Sequence, residues 1–392
     1  MNSKNRWLLP EGIDEVLPPQ AAQLDYLCRE LIDLYASWGY ELVMPPLVEY
    51  LDSLLTGTGS DLDLQTFKLT DQLTGRMMGV RADTTPQVAR IDIHNLHRDI
   101  PTRLCYFSEV LHTRPANPGG TRMPLQAGAE LYGHAGVESD AEILSLMLKT
   151  LQVAGIQNVH VDLGHVGIYR GLIGKLTITA EQESVIFDVL QRKATTELMK
   201  VINDWSLSSA VSDMLLALIE LNGGIEILND ARLSLAGAGK DVLHCIDELE
   251  QIAGLSIAQI KNAPLYFDLA ELRGYHYHTG MMCTAYVPGL GQGIAFGGRY
   301  DDIGQLGRSR PATGFSTDIR KLFALVPRAD VSLKRIFAPG SDVPGLNEAI
   351  DRLREQGEVV ICELTGQQGD AKQMGCDRKL VLQGGSWKVE KI

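Results

Sequence analysis

The stretch Leu104–Gly133, LCYFSEVLHTRPANPGGTRMPLQAGAELYG, holds two strand-like runs separated by a loop rich in proline and glycine. Apolar runs flanking turn residues of this kind predict a long β-hairpin. In its second run Gln126 and Glu130 lie four apart. Side chains alternate along a strand with period two, so both point to one face. A hairpin with a polar pair on one face is the seed of an antiparallel sheet, and the flanking sequence is read outward from it.

Upstream, residues 18–38 form an amphipathic helix: Leu24, Leu27, Cys28, Leu31, Leu34 and Tyr35 recur at helical spacing, and Gly39 follows as a stop. The short strand ELVMPP comes next, and residues 65–90 read as strand, turn, strand and helix start. Thr84 or Thr85 can cap that last helix, with Pro86 in its first turn. Downstream, a helix over about 139–153 and the strand NVHVDLG close a first block. Residues 165–260 then show helical patterns with no strand signal, which marks a helical insertion. Strands resume at LYFDLAELRG, YHTGMMCTAYV and GQGIAFGGRY, and a helix starts at about Gly314. The tail reads strand–helix–strand, then KLVLQG and a last turn. The expected architecture is therefore α+β. An antiparallel sheet flanked by helices spans 1–164 and 261–328, the helical insertion 165–260, and a small C-terminal α/β domain 329–392.

Composition narrows the function. Of 392 residues, 45% are hydrophobic and 22% charged, as in an ordinary globular protein of two or three domains. There is no run of 18 apolar residues and no signal-peptide h-region at the N-terminus, which predicts neither a membrane span nor export. Six scattered cysteines without a Cys-x-x-Cys pair argue against a zinc site or a disulfide framework and for reduced thiols in the cytoplasm. The 36 basic and 49 acidic residues leave a formal charge of −13, which disfavours a nucleic-acid partner. The tail is balanced, with nine basic and nine acidic residues over 331–392.

Four clusters carry chemistry: ADTTPQ (82–87), QAGAE (126–130), LRGYHYHTG (272–280) and GGRYD (297–301). A small zwitterion needs a carboxylate for its ammonium, a guanidinium for its carboxylate, and amides or hydroxyls for orientation. Asp83, Arg273, Gln126 and Glu130 supply those types. The alternative for the same residues is a set of surface ion pairs on sheet edges. On a regular strand Arg273, Tyr275, Tyr277 and Thr279 share one face, with His276 and His278 on the other. That histidine spacing suits a metal, but no third ligand is evident, so no metal and no cofactor is expected.

Taken in order, these clusters resemble the core of class II aminoacyl-tRNA synthetases, specifically histidyl-tRNA synthetase, over roughly residues 9–325. The helix ending in YELVMPP resembles motif 1, the dimer-forming element; YFSEVLHTRP…QAGAELYG resembles motif 2; GFSTDIRKL resembles motif 3. LRGYHYHTG is similar to the family's histidine-specific Arg-Gly-Leu-Asp-Tyr-Tyr-Thr-Gly. The resemblance implies a histidine pocket. Asp83 stands at a glutamate position for the ammonium with Thr85 beside it, and Gln126 contacts the amino acid. Glu130 reads the imidazole, Arg273 lies near the carboxylate, and Tyr277 is the first of a tyrosine pair whose second member is His278 here.

The synthetase's ATP residues do not carry over. His112 replaces the motif 2 arginine, Arg114 an acidic residue, and motif 3 has Asp318 at a glycine and Lys321 at an arginine. FKLTDQLTGRMMGVRADTTPQVARID and VDLGHVGIYRGL resemble the paralogous regulatory subunits of ATP phosphoribosyltransferase. That resemblance implies no catalysis by this chain. It implies a hetero-octamer with a short-form catalytic subunit, activation of that subunit, and feedback by L-histidine. An active divergent synthetase and a tRNA-sensing pseudo-synthetase are the alternatives.

Overall fold

Helix α1 (Gln20–Ser37) buries Leu24, Leu27, Leu31 and Tyr35 along one stripe. Leu27 and Leu31 are wholly buried, each contributing about 2 kcal/mol relative to exposure. The helix stops where Gly39 takes φ +83°, with Gly39 N–H donating to Ala36 O and Tyr40 N–H to Tyr35 O, both at 3.0 Å. This is a Schellman end, which needs a residue that tolerates the left-handed region.

The computed structural model describes residues 7–55, 60–115, 117, 119–257, 264–275, 277–301, 310–326, 334–341 and 343–392. The chain divides into two units, Met1–Pro327 and Arg328–Ile392. The domain limits expected at 260/261 and 328/329 both lie outside the described residues, as do His276 and residues 302–309 of the GGRYD-to-helix stretch.

After α1 the first unit runs β1 (Glu41–Leu42), β2 (Val48–Tyr50), α2 (Leu51–Leu55), α3 (Ser60–Gln65), β3 (Phe67–Thr70), β4 (Met77–Val80) and α4 (Thr85–Ile91). The hairpin follows as β5 (Thr102–Glu109) and β6 (Leu125–Tyr132), then α5 (Val137–Val153) and β7 (His160–His165). The helical segment comprises α6 (Val166–Ile173), α7 (Ala180–Gln191), α8 (Thr195–Asp204), α9 (Ser209–Glu220), β8 (Asn222–Gly223), α10 (Ile227–Ser234) and α11 (Lys240–Ile257). The sheet resumes with β9 (Leu265–Asp268), β10 (Met281–Tyr286), β11 (Ala295–Arg299) and β12 (Ala312–Asp318), and α12 (Ile319–Leu325) follows.

Nine strands form one sheet in the order β1-β5-β6-β12-β11-β10-β7-β9-β8, and β2-β4-β3 make a smaller one. The expected antiparallel character holds through the middle, but β1 pairs with β5 and β7 with β9 in parallel, so the sheet is mixed. Strand alternation separates its faces. Cys105, Ala127, Ala129, Leu131 and Phe315 join the main core with α1 and α5, where Tyr35 meets the Phe107 ring at 5.5 Å and Phe315 at 6.1 Å. Leu104, Tyr106 and Tyr132 turn the other way, toward Val88 and Ala89 of α4.

Three local expectations are corrected. The helix read from Gly314 begins at Ile319, because Gly314–Asp318 pair with β6 and β11 as the end of β12. The strand read through YHTGMMCTAYV starts only at Met281; the described part of 273–280 is turns, so alternation does not sort its side chains. The helical segment is interrupted by β8, which pairs with β9 at the sheet margin.

In the second unit β13 (Arg335–Ala338), α13 (Leu346–Glu355), β14 (Val359–Cys362), β15 (Arg378–Gln383) and β16 (Ser386–Lys391) form a four-stranded sheet, order β14-β13-β15-β16. Ile336, Leu346, Ile350, Val360 and Leu380 make its core. The chain ends as a β15–β16 hairpin rather than a last turn.

Candidate ligand site

The site lies on the α4 side of the nine-stranded sheet. One register row crosses it: Glu130 opposite Gly314, Gly314 opposite Gly298, Gly298 opposite Met282. The two glycines leave room above the strands. A Cβ on Gly314 would sit 1.6 Å from Glu130 Oε2, and one on Gly298 would sit 2.8 Å from His278 Nδ1. A cavity of about 190 Å³ opens over this row, walled by Asp83, Thr85, Glu130, Tyr277, His278 and Tyr300, among others. That is smaller than the roughly 300–1,000 Å³ typical of drug-sized sites and suits a small metabolite.

Glu130, 1% exposed, is the centre of the wall. Its Oε1 accepts from Thr85 Oγ1 at 3.1 Å and from the Tyr106 hydroxyl at 3.3 Å, and its Oε2 accepts from the Tyr300 hydroxyl. Burial pushes its pKa up to about 8; the three hydroxyls pull it back down, and Asp83 pushes it further up. Asp83 is fixed by Gln126 Nε2 at 2.8 Å and by the Thr85 N–H at 3.1 Å. Thr84 occupies the N-cap of α4, yet its hydroxyl makes no capping bond; its N–H donates to Gln126 Oε1 at 2.9 Å instead. Gln126 therefore ties the start of α4 to β6 through both ends of one amide.

Tyr277 stacks on Tyr300 at 5.2 Å between ring centres, and its buried hydroxyl has no hydrogen-bond partner among the described residues. A buried hydroxyl without a partner is costly unless a ligand supplies one. His278 Nδ1 lies 3.3 Å from Arg299 O, and burial lowers its pKa to about 4, so the ring is neutral at ordinary pH.

Six of the seven anticipated residues thus come together: Asp83, Thr85, Glu130, Tyr277 and His278 on the wall, with Gln126 directly behind Asp83. Arg273 does not line the cavity. Its guanidinium pairs with Glu271 and donates to the Tyr286 hydroxyl, and its side chain is 50% exposed. Tyr286 shares a face of β10 with Thr284, whose register partner Phe296 does line the cavity, so Arg273 stands over the same sheet face, farther out. Tyr106 was not anticipated, while Gly298 and Tyr300 of the GGRYD cluster and Gly314 of the motif 3-like segment were singled out without a place in the ligand wall. Tyr106 is register-paired with Gly128 midway between Gln126 and Glu130, which period-two counting across the hairpin would have found.

A second cavity of about 550 Å³ adjoins the first, sharing Phe296 and Ser316 with it, and Gln126 lines the second. His112, Asp318, Arg320 and Lys321 line it. Asp318 caps α12, its Oδ1 accepting from Arg320 N–H at 3.0 Å and from Leu125 N–H at 3.2 Å. Lys321 Nζ donates to Gly293 O at 2.7 Å, and His112 Nε2 lies 2.9 Å from Ala82 O. Burial raises the pKa of Asp318 and lowers that of Lys321.

Among the described residues one His/Cys/Glu group is close enough to hold a metal: His165, Cys245 and Glu248, whose ligand atoms lie within 4.8 Å of one another. His165 Nδ1 accepts from Gly167 N–H at 3.1 Å, which leaves the ring proton on Nε2, facing Glu248 Oε2 at 3.1 Å. The imidazole is satisfied at both nitrogens as a helix cap and carboxylate partner, and offers no lone pair to an ion.

Comparison with known proteins places the fold and the family. The family model described as histidyl-tRNA synthetase matches residues 12–322, and that described as the ATP phosphoribosyltransferase subunit HisZ C-terminal domain matches 333–390. A histidyl-tRNA synthetase from Nostoc superposes with TM-score 0.78 at 16% identity, over 98% of this chain and 97% of its own. A Bacillus halodurans protein described as an ATP phosphoribosyltransferase regulatory subunit/histidyl-tRNA synthetase gives 0.82 at 26%, over 94% and 96%. The first unit is thus a class II domain of the histidyl-tRNA synthetase type. Curated ATP phosphoribosyltransferase regulatory subunits from Thioalkalivibrio sulfidiphilus and Alkalilimnicola ehrlichii are 58% and 54% identical, covering 97% and 98% of this chain and 97% and 96% of theirs. The chain belongs to the family of ATP phosphoribosyltransferase regulatory subunits.

Proposed function

We propose that the chain is the non-catalytic regulatory subunit of ATP phosphoribosyltransferase in the first step of histidine biosynthesis. It joins the short-form catalytic subunit in a cytoplasmic hetero-octamer, activates it, and reports L-histidine to it through the cavity at Glu130. The observation that carries this reading is the contrast between the two adjoining cavities. In the smaller, walled by Tyr277, Glu130 and Asp83, the Tyr277 hydroxyl is buried without a partner among the described residues. In the larger, Asp318, Lys321 and His112 are occupied by the chain's own backbone. A nucleotide phosphate there would meet a buried carboxylate, and the guanidinium lining that cavity, Arg320, is already engaged by Asp14 O and Glu109 rather than held open as the bidentate clamp such a group requires.

In the smaller cavity Asp83 receives the ligand ammonium, Glu130 and Tyr277 receive the imidazole, and the neutral His278 ring borders it. Arg273 stands within the same sheet face, where a ligand carboxylate competes with Glu271 for the guanidinium. For feedback, histidine must favour one state of the complex; equal affinity for two states shifts neither. Self-association runs through the α1–β1 region, where Tyr26, Met44 and Leu47 are 61%, 82% and 51% exposed and form apolar surface at the motif 1-like segment.

The test is calorimetric titration of the chain, alone and in complex with the short-form phosphoribosyltransferase, with L-histidine, beside assays of the catalytic subunit with and without it. Binding together with activation is expected. Activation without any histidine binding would leave the regulatory role standing and remove the sensor; failure to co-purify would remove both.

A further inference from the structure

We propose that Arg170, on α6 in the helical layer, is the positioning residue that holds Tyr277 and His278 in place in the cavity wall. The inference rests on the reading of that cavity as the histidine site.

The described part of the segment carrying those two residues forms no strand and meets the sheet backbone through Thr279 N–H, which donates to Arg299 O of β11 at 2.8 Å. Within it Tyr277 N–H and His278 N–H both donate to Gly274 O at 2.8 Å, where Gly274 takes φ +78°. The carbonyls of Tyr275 and His278 point out of this turn and meet one side chain. Arg170 Nη2 donates to Tyr275 O at 3.0 Å and to His278 O at 2.8 Å. The same guanidinium lies 4.9 Å over the Tyr275 ring. A planar guanidinium bridges two carbonyls while its plane lies over a ring; an ammonium, a compact point charge, has no such plane to stack.

Tyr275 completes the attachment from the other direction. Its ring packs edge-on against Tyr169 of α6 at 5.0 Å and tilts against Phe187 of α7 at 5.4 Å. Its hydroxyl donates to Glu183 Oε1 at 3.0 Å, in the first turn of α7, a turn closed by the Thr179–Gln182 capping box. Two residues on, Tyr277 stacks on Tyr300, the residue whose hydroxyl reaches Glu130. The segment is therefore anchored to the helical layer by residue 275 and its carbonyls, and presents residues 277 and 278 to the ligand. Arg170 touches neither the cavity nor any residue assigned to ligand contact except through backbone oxygen. A supporting group of this kind, when removed, typically lowers affinity by roughly 10- to 100-fold through loss of orientation.

The test compares Arg170→Met and Arg170→Lys in the full chain. Arg170→Met is expected to weaken L-histidine binding about 10-fold or more, with Arg170→Lys between it and the parent. Combined with Tyr277→Phe, the losses are expected to be less than multiplicative, because both act through the same hydroxyl. In ligand-free protein, amide exchange at Tyr277–Gly280 is expected to accelerate while that of α6 stays as in the parent. Unchanged affinity, fully multiplicative losses, or acceleration spread evenly over α6 and α7 would each overturn the proposal. If the parent chain binds no histidine, the sensor reading fails and the exchange pattern alone decides the role of Arg170. Should Arg170→Met not fold, Tyr275→Phe keeps the ring and removes the hydroxyl that meets Glu183 and Arg170; a smaller loss in the same direction is expected, and no change in affinity or exchange sinks the idea.

Discussion

Glycine at 314 fixes where the Glu130 carboxylate can be. Gly314→Ala drives a methyl group into Oε2, and the carboxylate must leave at least one of its three hydroxyl partners. The expected cost is about 2–3 kcal/mol in urea unfolding, with histidine binding lost in calorimetry. Protonation at the same residue sets a pH dependence. Glu130 has a folded pKa of about 8 against 4.5 for the free side chain, so its contribution to stability is complete below the lower value and drains away as pH rises toward 8. His278, about 4 against 6.5, works in the opposite sense, contributing fully above 6.5 and losing that contribution as pH falls toward 4. The two oppose each other between 4.5 and 6.5; from 6.5 to 8 Glu130 acts alone. Glu130→Gln is expected to flatten that upper limb by at most about 2 kcal/mol relative to the parent, measured as denaturation midpoints across pH. A parallel decline in both proteins would rule this out. At this scale the sequence was informative about polar types: Asp83, Gln126 and Glu130 could be paired to a zwitterion from their chemistry. It was uninformative about Tyr106, because a tyrosine in an apolar strand reads as core until the register shows what its hydroxyl faces, and it placed Tyr300 in the GGRYD cluster without showing that its hydroxyl meets Glu130. Arg273 illustrates the converse, since the type was right for a carboxylate but Glu271, two residues away, already holds it.

The segment GFSTDIRK shows what an element's sequence leaves open. Gly314 and Phe315 suit a helix start as well as a strand, and what decides is pairing on both sides with β6 and β11, neither of which is local. Asp318 then becomes the cap of α12 rather than a residue in its first turn. Restoring the synthetase-like residue, Asp318→Gly, removes the acceptor for both Arg320 and Leu125 N–H groups and should destabilise the chain by about 1 kcal/mol. It should not produce histidine-dependent ATP–pyrophosphate exchange, because Lys321 and His112 remain bound to backbone oxygens. Exchange above background would point to a latent synthetase. Elements with strong periodicity, α1 and the β5–β6 hairpin above all, were legible to within a few residues. The described turns within 273–280 were not, because beyond the turn at Gly274 they are held by Arg170 and the α6–α7 rings, which are distant in sequence.

For the whole molecule, the formal charge of −13 opposes a polyanion at every approach that lacks a compensating basic face. Filter binding with tRNA at physiological salt is expected to retain none above background, and retention that weakens steeply with added salt would revive the tRNA-sensing alternative. The mixed order of the large sheet was beyond sequence reading, since the parallel partners of β1 and β9 come from distant segments. Its margins have a consequence for assembly. The nine-stranded sheet ends at β1 on one side and β8 on the other, each two residues long. An edge that short offers too few free N–H and C=O groups to template an added strand. At these two margins the nine-stranded sheet therefore resists growth by backbone pairing, so a subunit that meets them has to be recognised by side-chain surfaces, where specificity is encoded residue by residue and misassembly into continuous sheet has little purchase.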